Sequence, residues 1–63
     1  MALDGAAFRL VRTALNAFCE YHDLPLLDDT ATEAAEQLIK MVIRGESDIE
    51  LLLRHIEDWF ISR

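Results

Sequence analysis

Two positions in this chain oblige a helix to stop, and everything between them repeats at helical period. Pro25 holds its own φ near −65° and pushes Leu24 out of helical geometry. Gly45 supplies the residue best suited to the left-handed conformation that closes a helix C-terminus. The chain is thereby cut into three segments, each with an apolar stripe recurring at three- and four-residue intervals.

The first segment opens at Asp4, whose carboxylate can accept from the free N–H groups of an opening turn. Leu3 before it and Phe8 after it are placed as a hydrophobic staple. Arg9, Arg12, Thr13, Asn16, Glu20 and Asp23 form one narrow polar stripe, while Ala7, Leu10, Val11, Ala14, Leu15, Ala17, Phe18 and Tyr21 surround it. This predicts a helix over about 4–22. The connection 23–29 carries Leu24, Leu26 and Leu27, and is expected to lie across an end of the core.

Thr30-Ala31-Thr32-Glu33 reads as a capping box, in which Thr30 and Glu33 each satisfy a backbone N–H near the other. A helix over about 31–44 follows, with Ala31, Ala34, Ala35, Leu38, Ile39 and Val42 on its buried face. Glu33, Glu36, Gln37, Lys40 and Arg44 form its polar face, acids early and bases late as the helix dipole prefers. Ser47 and Glu50 form a second capping box, and Ile49, Leu52, Leu53, Ile56, Trp59 and Phe60 give a core stripe over about 48–61. The fold class is therefore all-α: a single three-helix domain over 1–63, its first helix long, its second and third joined by a tight turn at Gly45.

Sixty-three residues leave such a domain marginal. A core of this size seldom supplies more than about 3–5 kcal/mol without a disulfide, a metal or a second chain. Cys19 stands alone and cannot form an internal disulfide. Meanwhile 52% of the residues are hydrophobic, and the surplus lies off the main stripes. Met41, Ile43, Leu51 and Ile61 fall outside the core faces, and Phe18, Trp59 and Phe60 add large apolar area. These seven are the candidate interface residues, and a two-fold homodimer forming a six-helix bundle is the expected way to cover them.

The charge excludes several classes of function. A formal net charge of −6 is the wrong sign for phosphate backbones and for anionic lipid. The third helix opens on Glu46, Asp48 and Glu50, where a helix-turn-helix would need groups that contact DNA. No run nears the roughly 20 apolar residues that span a bilayer, and the opening Met1-Ala2-Leu3-Asp4-Gly5 lacks signal-peptide character. Neither nucleic acid nor membrane is an expected partner, and a cytoplasmic setting with a reduced thiol is.

Cys19 and His22, spaced i,i+3, are the one pair with reactive or ligating chemistry. Zinc would need to add His55 and carboxylates such as Glu20 or Asp58. Nothing in the spacing supplies the third group that orients a catalytic base. The expectation is a non-enzymatic protein-interaction or regulatory module without cofactor or metal, acting as a homodimer. The first alternative is an acidic inhibitor or antitoxin-like decoy that occupies a basic nucleic-acid-binding partner. The second is a thiol- or metal-dependent protein using Cys19 and His22.

Overall fold

The computed structural model describes residues 4–25 and 27–62 and contains three helices, α1 Gly5–Tyr21, α2 Asp29–Ile43 and α3 Ile49–Ile61. Among these residues there is no strand. Leu3 of the proposed staple and Leu26 of the first connection lie outside the described residues.

All three helices begin on an aspartate. The Ala7 N–H donates to Asp4 Oδ1 at 2.8 Å, the Thr30 N–H to Asp28 Oδ1 at 2.8 Å and the Glu50 N–H to Asp48 Oδ1 at 2.9 Å. Two of these caps correct the capping-box assignments. Asp28 takes the place expected of Thr30, so α2 starts at Asp29, and Asp48 takes the place expected of Ser47. In both cases a carboxylate stands within two residues of the hydroxyl, and its full negative charge adds a favourable interaction with the positive end of the helix dipole.

Two helices end in the same hydrogen-bonding pattern. At the end of α1, the Leu24 N–H donates to the Cys19 carbonyl at 2.8 Å and the Asp23 N–H to the Glu20 carbonyl at 3.3 Å. At the end of α2, the Glu46 N–H donates to the Met41 carbonyl at 3.1 Å and the Gly45 N–H to the Val42 carbonyl at 2.9 Å. These are the paired bonds of a Schellman closure, which needs one left-handed residue. Gly45 takes φ 101° without penalty, whereas at the end of α1 Asp23 is held at φ 55°.

After Asp23 the chain turns sharply, with the Asp28 N–H donating to the Pro25 carbonyl at 3.1 Å. Leu24 folds back against the core. Leu27, at the third position of that turn, points outward and is 96% exposed. Among the described leucines of the connection, Leu24 covers the core and Leu27 does not. Asp28 must face the start of α2 to cap it, and that requirement directs the preceding residue to solvent.

The helices run up, down and up. Ala7 and Leu10 of α1 lie beside Val42 and Gly45, which makes α1 and α2 antiparallel. Leu10 shares a wall with Ile49, and Phe18 with Leu53 and Glu57, so α1 and α3 run the same way. Ala14, Ala31 and Ala34 are fully buried, and such small side chains let helix backbones approach closely. Phe18, Leu38, Leu52 and Ile56 fill the space between. The radius of gyration, 10.8 Å, is that of a well-packed chain of this length, about 10.6 Å.

Candidate interaction surface

The seven candidate interface residues separate into three groups. Phe18 is 1% exposed and belongs to the chain's own core. It stands four and seven residues after Ala14 and Val11, on the same side of α1, so it has no surface left to offer a partner. Met41, Trp59 and Phe60 are partly buried and pack against that core. Ile43, Leu51 and Ile61 are exposed. They do not form one patch: Ile43 is on α2, and the ten residues between Leu51 and Ile61 turn them about 80° apart on α3.

A different set is gathered by the fold. Between α1 and α3 runs a furrow with a hollow of about 430 Å³ lined by Ala17, Phe18, Tyr21, Leu53 and Glu57. Toward the N-termini of the same two helices lies a second hollow of about 370 Å³, lined by Ala6, Arg9, Leu10, Thr13 and Ile49. Small side chains on α1 create the depression: Ala6, Thr13 and Ala17 face it where larger residues would have filled it. Tyr21, 79% exposed, stands at one end, and Ile61, 76% exposed, lies one turn beyond Glu57 on α3. Tyr21 falls within the broad apolar arc that the sequence gives α1. Two neighbouring helices do not cover an arc that wide.

The end of the furrow is fixed by a contact that links residues 35 apart in the chain. His22 Nε2–H donates to both oxygens of the Glu57 carboxylate, at 2.8 and 2.7 Å. A carboxylate only accepts, so this contact assigns the ring hydrogen to Nε2. The imidazole also packs among three rings, with centroid distances of 4.8 Å to Phe18, 5.0 Å to Tyr21 and 4.6 Å to Phe60. Phe18 and Phe60 themselves meet edge to face at 5.3 Å. His22 thus ties the C-terminus of α1 to α3.

Cys19 does not share that environment. It is buried in the core, and burial, with a smaller contribution from the nearby Asp28 carboxylate, raises its thiol pKa. A thiol held protonated is a poor nucleophile and a poor metal ligand. His55, the third residue of the conceivable zinc set, has its Nδ1 3.3 Å from the Leu51 carbonyl. Among the described residues no three His, Cys, Asp or Glu side chains gather in a way that could hold a metal ion, and no helix is long and apolar enough to cross a membrane.

The charges are less free than their number suggests. Asp4, Asp28 and Asp48 cap helices, Glu46 Oε1 accepts from the Asp48 N–H at 3.2 Å, and Glu57 holds His22. The described Lys and Arg residues fall in three places, one of them Arg54, exposed on α3. Arg9 and Arg12 are exposed on α1, Arg9 at the edge of the furrow, while Lys40 and Arg44 lie beside His55 in a cleft between α2 and α3. No protein-family model, curated protein or solved structure matches this chain.

Proposed function

We propose that the chain is a non-enzymatic protein-interaction module that works as a homodimer, with the α1–α3 furrow of each copy packed against that of the other. The observation that carries this reading is the furrow itself, walled by Ala17 and Leu53, with the exposed side chain of Tyr21 at one end and that of Ile61 one turn beyond Glu57. Burying a side chain of that size is worth roughly 1.5–3 kcal/mol. In a domain whose core supplies only about 3–5 kcal/mol, covering two such groups changes stability substantially. A stable dimer buries about 800 Å² on each partner, under a fifth of the 4506 Å² surface of one chain. A two-fold axis along the furrow brings each Tyr21 to the partner's apolar walls. The unpaired thiol suits a reducing, cytoplasmic setting.

Electrostatics gives the test its direction. Two chains of charge −6 repel, so added salt screens the repulsion and strengthens self-association. Sedimentation of the purified chain is expected to show a dimer favoured by salt, while Tyr21→Glu and Ile61→Glu each shift it to monomer at the same concentration. Variants that associate as tightly as the parent would remove the furrow from the interface.

A further inference from the structure

We propose that the cleft between α2 and α3, on the other side of α3 from the furrow, docks an acidic amphipathic helix of a partner protein. Its floor is apolar, formed by Met41, Ile56 and Trp59, and its walls carry Gln37, Lys40 and Arg44 from α2 and His55 from α3. The hollow there is about 160 Å³, and a neighbouring one of about 300 Å³ extends it along Met41, Arg44, Gly45, Glu46 and His55. Leu51, exposed and one turn before His55, lengthens the apolar strip.

Charge complementarity selects the occupant. The chain has twice as many acids as Lys and Arg together, yet two of its six Lys and Arg residues and one of its two histidines converge on this cleft. The helix dipole accounts for Lys40 and Arg44 at the end of α2. It does not account for His55 on the opposite wall. Glu46, the carboxylate among the lining residues, is turned toward the cap of α3 by its bond to the Asp48 N–H. The C-terminus of α2 and the N-terminus of α3 meet at this corner, so their opposite partial charges largely offset and the side chains set the local sign. An apolar anchor resting on Met41 and Trp59, with carboxylates reaching Lys40 and Arg44, satisfies both the floor and the walls.

The sole tryptophan of the chain reports on this cleft directly. The probe is a peptide of about 18 residues, long enough to form a helix, with leucines on one face and glutamates on the other. A second peptide with lysine in place of glutamate serves as control. Trp59 fluorescence should respond to the glutamate peptide, with an affinity that falls as salt is raised. The Lys40→Glu/Arg44→Glu variant, its helicity checked by circular dichroism, should bind about tenfold more weakly, as expected for reversing two exposed charge pairs. No response to the glutamate peptide, an equal or stronger response to the lysine peptide, or undiminished binding to the charge-reversed variant would each overturn the proposal. Dimerisation, read separately by sedimentation, strengthens with salt, so failure of either idea is recognised independently of the other.

Discussion

Cys19 and His22 are one helical turn apart, and their surroundings assign them opposite roles. The thiol lies in the core, where charge is poorly solvated, and the Asp28 carboxylate adds repulsion to a thiolate. Its pKa is therefore higher in the folded chain than in the unfolded one. The unfolded chain releases this proton first, so the contribution to stability is complete below the ordinary thiol range, about pH 8.5, and declines as pH rises through it. Denaturant titrations should show the parent losing stability relative to Cys19→Ala between about pH 8 and 10. Parallel curves for the two proteins would contradict this account. The imidazole, by contrast, is engaged by Glu57 and three rings. Sequence spacing could pair His22 with Cys19 because both are on one helix. It carried no signal for Glu57, which reaches His22 only when α3 packs beside α1.

At the scale of elements, each helix is defined by its ends. Three aspartates start them and two Schellman closures stop α1 and α2. The closures differ in one respect that matters: Gly45 is at ease at positive φ, while Asp23 has a Cβ to accommodate there. Asp23→Gly is expected to raise stability by about 0.5–1 kcal/mol, and Asp23→Val to lower it, both measured by chemical denaturation. A glycine variant no more stable than the parent would mean that the aspartate side chain compensates its own strain. The helices themselves were legible in the sequence, since apolar period and the positions of Pro25 and Gly45 leave little freedom. The starts of α2 and α3 were displaced because Asp28 and Asp48 sit within two residues of Thr30 and Ser47. A hydroxyl in a capping box and a neighbouring carboxylate give competing signals, and only geometry decides between them.

For the whole molecule, the all-α architecture follows from the pattern, but the location of the surplus apolar surface does not. The pattern identifies side chains off the main stripes, such as Ile43, Leu51 and Ile61, without saying which of them share a face. It places Tyr21 in an apolar arc of α1 that is wider than α2 and α3 can cover, without saying which part of that arc stays exposed. The furrow arises from two helices with small residues on one rim, a property of their relative placement. Its proposed role links folding to association: the same apolar groups that leave a small domain marginal as a monomer would complete its core as a dimer.

The most direct measurement is light scattering of the parent chain across a hundredfold dilution, with helicity followed by circular dichroism at each concentration. The account predicts a dimer at high concentration that gives way to monomer on dilution, with helicity and melting temperature falling together, and a midpoint moved to lower concentration by salt. A folded monomer of unchanged helicity at every concentration would contradict it.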